Sequence, residues 1–469
     1  MRFDEHFLTG ALSKLSFVSK KFPKEISFSV DSRTVKKGDV FVALEGKSFD
    51  GNMAVGDALK KGAAGAILSE SKKGVLDKID ANVLKNALIV LVPDTLDALV
   101  KLAAAWRAQF VYPVVAITGS VGKTTTKEMI ANILDVNGTS YVASYGNQNT
   151  KIGLSLNILK MRTTHEAAVF ELGITRRGEM SDLVDILKPT TAVVTSVGHS
   201  HMEGLGALND IATEKRQVFK HFTEDSIGII NGDLPILANV GYDHPVIKFG
   251  SKTTNQIQAR KIHIGNGNIS FVLKIYKNKY NVVVKNTNAG AVYNAIAAAA
   301  VANILEIPHE TIVKGVQVPV AVSSRFEKLD IKKGRGTLIS DCYNASPESM
   351  KAALVALENI DTDAKKIAVL GDMLELGVNS PFWHRQLGRL LRKVSSLKNV
   401  ILVGEMVSNT KSTIPIGVAV EHVKDWQEAI KMLDKVMGEE SLVLVKGSNG
   451  MNLINVVNYF TQKKPVKTI

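Results

Sequence analysis

The stretch VVAITGSVGKTTTKEMI, residues 114–130, most constrains the fold, because an apolar run leads through small residues to a lysine and three threonines. Val114–Ile117 predicts a buried strand, and the residues from Lys127 onward predict a helix. Between them, Gly119 and Gly122 allow backbone N–H groups to turn inward on an anion, and the helix N-terminus adds its dipole. The sequence therefore predicts a phosphate-binding loop.

The side chains of this loop suit a nucleoside triphosphate. Lys123 can reach the β- and γ-phosphates, and Thr124 offers a hydroxyl to Mg²⁺. The strict G-x-x-x-x-G-K-[ST] spacing is not met, because Ile117 stands at the first glycine, and the pattern that remains is T-G-x-x-G-K-T-T. A GTPase is the rival interpretation, but the chain has no N-K-x-D base-reading motif. The residues expected to bind nucleotide here are Thr118, Gly119, Ser120, Val121, Gly122, Lys123, Thr124 and Thr125.

Length and composition narrow the class of protein. With 469 residues, 45% hydrophobic and 22% charged, the chain predicts a soluble globular protein of several domains. No apolar run is long enough for a membrane span, the N-terminus lacks the apolar core of a signal peptide, and the single cysteine, Cys342, suits the cytoplasm. The net charge of +13 is spread without a basic block, which favours a solvated basic surface and argues against nucleic-acid binding; an anionic membrane surface or small anionic substrates stay open as partners.

The alternation of strand-like and helix-like segments predicts an α/β fold of three domains with mainly parallel sheets. We expect a small N-terminal α/β domain at 1–93, a central P-loop domain at 94–318 and a Rossmann-like domain at 319–469. Expected helices cover 51–62, 95–110 and 293–307. Asp94 is expected to be the N-cap of the second of these helices, and Ser380 is expected to be an N-cap further along the chain. A hairpin is expected around Asn278-Lys279. Expected strands cover 39–46, 64–71, 87–94 and the runs VVAIT, AAVFELG, TAVVTSVG, SIGIIN, TLISDCYN, KIAVLGD, NVILVGE and SLVLVKG.

Further motifs follow the phosphate loop in a fixed order. They are FELGITRRGEM (170–180), HSHMEGLGALNDIATEK (199–215), SDCYNASPESM (340–350) and LGDMLELGVNSPFWH (370–384), and VDSRTVKKGDVFVALEGKSFDG (30–51) precedes it. Together with T-G-x-x-G-K-T-T, they resemble the Mur ligase family, which makes peptidoglycan precursors. The two C-terminal motifs are similar to those of the member that adds D-alanyl-D-alanine to UDP-N-acetylmuramoyl-tripeptide.

This resemblance implies a monomeric, cytoplasmic, ATP- and Mg²⁺-dependent amide ligase that acts through an acyl phosphate. It assigns catalysis to Lys123, His201 and Lys215, and it makes Thr124, Glu171, His201 and a carbamylated Lys215 the metal ligands. It adds Asn294, Arg325 and Asp341 to the nucleotide site. The substrate residues it implies are Ser32, Arg33, Asn147, Asn149, Thr150, Asn344 and His384. Composition alone would instead make Lys215 a solvated helix lysine.

The sequence departs from the family pattern at several positions that bear on nucleotide and substrate affinity. They are Gly290 and Ala291 in place of His and Asn, and Thr150, Ser155, Ser346 and Asn449. Three alternatives stay open: a related ligase that adds a different amino acid or extends folylpolyglutamate, a catalytically silent ATP-binding partner, and a nucleic-acid-binding P-loop protein. LGDMLELG argues against the first, retention of Glu171, His201 and Lys215 against the second, and the absence of a basic stripe against the third.

Overall fold

A computed structural model describes residues 3–24, 27–46, 49–265 and 267–461, which form three β-sheets of five, nine and six strands with helices between the strands. The strands are β1 Ser16–Lys20, β2 Ser27–Ser29, β3 Asp39–Val42, β4 Gly65–Ser69, β5 Leu88–Val92, β6 Val114–Thr118, β7 Tyr141–Ala143, β8 Ala167–Glu171, β9 Thr191–Val194, β10 Ile227–Asn231, β11 Val246–Gly250, β12 Ile257–Gly265, β13 Asn268–Ile275, β14 Asn278–Val284, β15 Glu327–Asp330, β16 Gly336–Ser340, β17 Lys365–Gly371, β18 Leu397–Val403, β19 Ala419–Val423 and β20 Ser441–Lys446.

The helices connect these strands throughout the chain. They are α1 Glu5–Ala11, α2 Val55–Lys60, α3 Ala81–Lys85, α4 Thr95–Arg107, α5 Lys123–Asn137, α6 Lys151–Ile158, α7 Glu179–Leu187, α8 Met202–Leu205, α9 Leu208–Arg216, α10 Pro235–Ala238, α11 Gly290–Ile304, α12 His309–Gln317, α13 Pro347–Glu358, α14 Ser380–Leu391, α15 Trp426–Val436 and α16 Ile454–Phe460. Contacts between Cα atoms group the chain into two compact units. Unit 1 comprises Met1–Ala116, Thr139–Ile174 and Glu179–Thr190, and unit 2 comprises Ile117–Gly138, Thr175–Gly178 and Thr191–Ile469.

Unit 1 contains the five-stranded sheet, in the order β1-β5-β4-β3-β2. Strands β2 to β5 are parallel, and β1 pairs antiparallel with β5 at the edge. One face of the sheet buries Phe41, Leu68 and Ile89 against Val55 and Leu59 of α2. Strands β3 and β5 are buried along their whole length, which is the pattern of parallel strands that are covered on both faces.

Helix α4 ties this sheet to the rest of unit 1. Asp94 caps the helix by accepting hydrogen bonds from the N–H groups of Leu96 and Asp97, as predicted. Near its C-terminus, the Trp106 indole donates to the carbonyl of Met161 at 3.1 Å. The buried Arg107 guanidinium donates to the carbonyls of Leu187, Lys188 and Phe110, so its charge is compensated where α4 meets the end of α7.

Unit 2 begins with the phosphate-loop helix and a run of strands. Strands β9 to β12 pair in parallel, and β12, β13 and β14 form an antiparallel meander. Helix α5 packs against α11 and α12. Most of α11 is buried, and alanine is the commonest of its buried residues, which allows this close helix packing.

The six-stranded sheet at the end of unit 2 has the order β15-β16-β20-β17-β18-β19, and only its β15–β16 pair is antiparallel. Alternate residues of β17 face opposite sides of this sheet. Ala368 and Leu370 pack with α13 and α14, whereas Ile367 and Val369 pack with α15 and α16. This is the doubly covered, Rossmann-like arrangement that the sequence predicted.

The predicted α/β class with parallel sheets is confirmed, and the corrections concern element ends. Helix α5 begins at Lys123, one turn before the predicted Lys127, because the glycine loop leads directly into it. The hairpin turns at Tyr276-Lys277 rather than Asn278-Lys279, since Ile275 pairs with Asn278. Ser380 is wrong as an N-cap: it lies inside α14, and Asn379 precedes the helix. In residues 3–24, 27–46, 49–265 and 267–461, no helix has the length and apolar character needed to cross a membrane.

Candidate functional site

The phosphate loop in unit 2 has the backbone that its two glycines predict. Gly119 has φ +149° and Gly122 has φ +90°, and Gly122 directly precedes α5. A side chain at Gly119 would collide with Thr195, and one at Gly122 would collide with the amide oxygen of Asn294. Both positions therefore require glycine for backbone conformation and for space. Asn294, which the resemblance assigned to the nucleotide site, lies next to the loop.

The segment after β9 holds this loop in shape. The Ser120 N–H donates to the Ser196 carbonyl at 3.0 Å, and the Ser120 hydroxyl donates to the Gly198 carbonyl at 3.1 Å. The Gly198 N–H donates back to the Ser120 hydroxyl at 2.9 Å. The Val121 N–H donates to the Ser196 hydroxyl at 2.9 Å, and the Thr195 hydroxyl donates to the Val121 carbonyl at 2.7 Å. The loop is thus preorganised by a neighbouring strand end.

The polar side chains of the loop are placed for an anion. Thr118 is fully buried, and its hydroxyl oxygen has no hydrogen-bond partner among the described residues. The Lys123 ammonium donates to the Gly119 carbonyl at 2.8 Å, so it lies over the loop. Thr124 is buried in the first turn of α5, and Thr125 is partly buried. An orphaned buried hydroxyl, a lysine and left-handed glycines at one helix start fit a phosphate group.

Lys215 on α9 is a buried cation with a strongly shifted pKa. Its side chain is buried, and burial together with the nearby Lys123 charge lowers the pKa of Lys215 to about 7, against the opposing effect of Glu214. Its amine is therefore partly neutral near pH 7, which is the form that reacts as a nucleophile. The expectation from composition alone, a solvated helix lysine, is wrong, because α9 turns this residue inward.

His201 precedes α8 in the left-handed conformation, with φ +56°. Its Nδ1 is hydrogen-bonded to the Oε2 of Glu375, and that bond is the main cause that lowers the pKa of Glu375. Its Nε2 forms no hydrogen bond within the described ranges of the chain. A carboxylate on one ring nitrogen, with the other nitrogen open, is the arrangement in which histidine commonly ligates a metal.

Glu171, the predicted metal ligand of unit 1, is fully buried at the end of β8. Its Oε1 accepts a hydrogen bond from the side-chain amide of Asn149 at 2.8 Å, and its N–H donates to the Ser144 hydroxyl at 3.0 Å. The next helix in sequence, α7, begins only at Glu179, so Glu171 does not cap the helix that follows its strand. The structure thus brings together Glu171 and Asn149, two of the predicted site residues.

The other predicted substrate residues of unit 1 lie in loops. Arg33 is exposed and forms an ion pair with Asp31 at 2.7 Å, and this hydrogen bonding lowers the pKa of Asp31. The Ser32 carbonyl accepts a hydrogen bond from Lys61. Thr150 caps α6 through its hydroxyl. Asn147 is exposed in the same loop as Thr150.

Asp341, a predicted nucleotide residue of the C-terminal region, is paired with Lys446. The Lys446 ammonium lies 2.8 Å from Asp341 Oδ2 and also donates to the Asn344 carbonyl. Burial raises the pKa of Asp341, although the Lys446 charge acts in the opposite direction. The Arg325 guanidinium carbon lies 4.1 Å from the centroid of the Tyr343 ring, which holds it by cation–π attraction.

His384 is fully buried, and both ring nitrogens are used within the fold. Its Nε2 accepts a hydrogen bond from the Met373 N–H at 3.1 Å, and its Nδ1 donates to the Ser380 carbonyl at 2.8 Å. Burial lowers the pKa of His384. These bonds give His384 a role in holding the 373 segment against α14.

Gly290 and Ala291, which stand in place of the His and Asn of the family pattern, lie at the start of α11. Asn288 accepts a hydrogen bond from each of them. The Gly290 N–H donates to the Asn288 side-chain oxygen at 2.9 Å, and the Ala291 N–H donates to the Asn288 carbonyl at 2.9 Å. Two N–H groups of this helix start are therefore satisfied although the usual His and Asn are missing.

Three residues that belong to the segment after β9, or bind it, were not singled out from the sequence: His199, Glu348 and Glu375. Glu348 and Glu375 lie within the two quoted C-terminal motifs, but only the fold shows that each reaches a histidine of the segment after β9. In the described part of the chain, no three His, Cys, Asp or Glu side chains cluster as a ready metal site. The predicted ligand set differs from such a cluster, since it includes a threonine hydroxyl and a modified lysine.

Three family models match the chain in order. The Mur ligase family, catalytic domain matches residues 27–107, the Mur ligase middle domain matches 117–302, and the Mur ligase, glutamate ligase domain matches 324–449. The UDP-N-acetylmuramoyl-tripeptide–D-alanyl-D-alanine ligase of Bacillus subtilis (strain 168) is 32% identical over 433 residues, 92% of each chain. The ligase of the same name from Escherichia coli (strain K12) is 32% identical over 436 residues, also 92% of each.

Solved structures agree with these matches. A crystal structure of MurF from Acinetobacter baumannii superposes with a TM-score of 0.83 at 27% identity, covering 98% of this chain and 99% of that one. MurF ligase from Thermotoga maritima in complex with ADP superposes with a TM-score of 0.77 at 30% identity, covering 92% of this chain and 96% of that one. The chain therefore belongs to the Mur ligase family.

Proposed function

We propose that this chain is an ATP-dependent ligase that joins D-alanyl-D-alanine to UDP-N-acetylmuramoyl-tripeptide in peptidoglycan precursor synthesis. The observation that carries the proposal is the match over 92% of both chains to ligases of that name. The phosphate loop, with its two left-handed glycines and its overlying Lys123, is consistent with it. ATP and a UDP-linked precursor are cytoplasmic compounds, so we place the reaction in the cytoplasm.

The reaction follows from the chemistry of making an amide from a carboxylate. The terminal carboxylate of the tripeptide takes the γ-phosphoryl group of ATP, and ADP leaves. The amine of D-alanyl-D-alanine then attacks the acyl carbon, loses a proton, and phosphate leaves as the amide bond forms. The protein contributes mainly position and charge to the first step. Lys123 neutralises charge on the transferred group, and the N–H groups of the first turn of α5 hold the phosphates.

We assign Mg²⁺ to Thr124, Glu171, His201 and a carbamylated Lys215. These residues offer mostly oxygen donors, which Mg²⁺ prefers, and His201 has an open Nε2. When bound, Mg²⁺ would neutralise charge on the phosphates that transfer. The fold orients two of these residues through partners of their own: Asn149 holds Glu171, and Glu375 holds His201.

Carbamylation of Lys215 is supported by its buried, partly neutral amine. A neutral amine adds to CO₂ and releases one proton, which leaves a carboxylate on the lysine in place of a buried positive charge. That exchange also removes the repulsion with Lys123. Activity lost in Lys215→Ala and partly restored by short-chain carboxylates would support this modification.

For the remaining residues we propose roles that agree with their surroundings. Asn294 lies next to the phosphate loop and serves the nucleotide, together with Arg325 and Asp341. The substrate residues are proposed to be Ser32, Arg33, Asn147, Asn149, Thr150, Asn344 and His384. Of these, Thr150 and His384 act through the elements they hold, a helix start and the 373 segment.

The test is phosphate release from ATP with UDP-N-acetylmuramoyl-tripeptide, with and without D-alanyl-D-alanine, and Lys123→Ala as the control. We expect release that needs both substrates and disappears in the variant. If ATP binds but the dipeptide stimulates no release, the catalytically silent partner becomes the better description. If release occurs with another amino acid instead, the chain is a related ligase of different specificity.

A further inference from the structure

A short segment after β9, which we call the histidine loop (residues 196–206), is bound from two sides within unit 2. On one side, its Ser196 and Gly198 hold the phosphate loop through Ser120 and Val121. On the other side, His199, His201, Met202 and Glu203 contact the C-terminal region. The loop therefore lies in a continuous chain of hydrogen bonds from that region to the phosphate loop.

Glu348 forms the first of the C-terminal contacts. Its Oε1 accepts hydrogen bonds from the His199 ring at 2.6 Å and from the His199 N–H at 3.0 Å. The His199 ring also packs on Trp383, with centroids 4.3 Å apart. Gly198 allows this approach, because a side chain there would place its Cβ 2.7 Å from the Glu348 carboxyl carbon. Glu348 thus binds both the side chain and the backbone of the histidine loop.

Glu375 forms the second contact, two residues further along the loop. Its carboxylate binds His201 Nδ1, and its carbonyl accepts the Glu203 N–H at 3.0 Å. Between these points, Met202 packs into the core that Met373 and Leu376 help to form. The two carboxylates, the Glu375 carbonyl and the apolar contact hold four loop residues, His199, His201, Met202 and Glu203, against the C-terminal region.

The two segments that carry these carboxylates are themselves held by hydrogen bonds. Glu348 lies in the first turn of α13, behind the Ser346 cap. The segment that carries Glu375 is held by hydrogen bonds to its neighbours: Asp372 accepts the N–H groups of residues 405–407, the Met373 N–H binds His384, and the Leu374 N–H binds the Ser448 hydroxyl. The two C-terminal motifs therefore converge on one loop.

We propose that Glu348 and Glu375 are positioning residues that fix the histidine loop, and through it set the shape of the phosphate loop and the orientation of the His201 imidazole. This inference rests on the proposed function for its kinetic consequence. Its structural consequence is independent: loss of either carboxylate loosens the histidine loop, and the looser loop holds the phosphate loop less well.

The experiment uses the full chain with Glu348→Ala, Glu375→Ala and the conservative Glu348→Gln. The matched control is Glu310→Gln, which removes a carboxylate from the first turn of α12, where it is exposed. Amide hydrogen exchange of residues 196–206 and 119–122, and the Kd for ADP with Mg²⁺, are measured first. Then kcat and KM for ATP are measured with both acceptor substrates.

We expect exchange of the histidine-loop and phosphate-loop amides to rise about tenfold in both alanine variants, as loss of a hydrogen bond to a charged group implies. The Kd for ADP should rise by a similar factor, Glu348→Gln should lie between wild type and Glu348→Ala, and Glu310→Gln should match wild type. His199→Phe keeps a ring on Trp383, and it should add little to Glu348→Ala because both changes break one pair.

Two results would overturn the inference. One is unchanged exchange in residues 196–206; the other is faster exchange there with unchanged exchange at 119–122, Kd for ADP, kcat and KM. A wild-type chain without dipeptide-dependent turnover would instead refute the proposed function, and the exchange and ADP measurements would still decide the role of the two carboxylates.

Discussion

Carbamylation of Lys215 makes a quantitative prediction, because the structure gives that lysine an unusual pKa. Burial and the Lys123 charge lower it from 10.5 to about 7. At pH 7 about half of the Lys215 amine is then neutral, compared with about 0.03% for an ordinary lysine. Since only the neutral amine adds CO₂, Lys215 should carbamylate about 10³-fold more readily than an exposed lysine of equal intrinsic reactivity.

The measurement is ¹³C NMR of the full chain in ¹³C-bicarbonate between pH 6 and 9. We expect one slowly exchanging carbamate signal that is lost in Lys215→Met and that falls as the pH drops below about 7, because the amine takes up a proton there. Lys127→Met is the matched control: Lys127 is also buried, but it lies 2.8 Å from Glu128 and is ion-paired. The signal should survive in that variant.

Lys123→Met extends the same reasoning. Removing the neighbouring positive charge favours the protonated form of Lys215, so its pKa should rise and the midpoint of carbamate formation should move to higher pH. A carbamate signal that persists in Lys215→Met, the absence of a signal at pH 8, or a midpoint that moves to lower pH in Lys123→Met would each refute the account.

Three further variants test the site and its supports. Gly122→Ala should abolish ADP binding in calorimetry, because its φ of +90° is strained for alanine and the new methyl collides with Asn294, whereas unchanged affinity would contradict the loop geometry. Lys446→Met should destabilise the C-terminal region by about 1.5–3 kcal/mol in urea unfolding, since it removes a charged hydrogen-bond donor from the partly buried Asp341 carboxylate. Because burial already raises the pKa of that carboxyl, the loss should grow as the pH rises from 4 to 7, and a pH-independent loss would argue against it. His384→Phe should lower Tm by leaving a buried N–H unpaired, at a cost of about 1–3 kcal/mol, and an unchanged Tm would show that its hydrogen bonds are dispensable.

Local patterns predicted most of the elements because they depend on neighbouring residues. The buried strands of the parallel sheets appear in the sequence as short apolar runs. Asp94 could be predicted as a cap because it directly precedes the first residues of α4. The errors lie at element ends, where tertiary contacts compete with local preference. Ser380 has the residue type of a cap, but its hydroxyl lies 3.2 Å from His384 Nδ1 inside α14.

The sequence by itself determined the phosphate loop, the order of the motifs and the family to which they point, because these depend on residue types at fixed spacing along the chain. Only the tertiary structure decided that Lys215 is buried and partly neutral, since a pKa depends on burial and on charges distant in sequence. The fold likewise joined His199 to Glu348 and His201 to Glu375, across about 150 and 170 residues. Such pairs have no periodic signal, because they form where segments that are distant in the sequence meet.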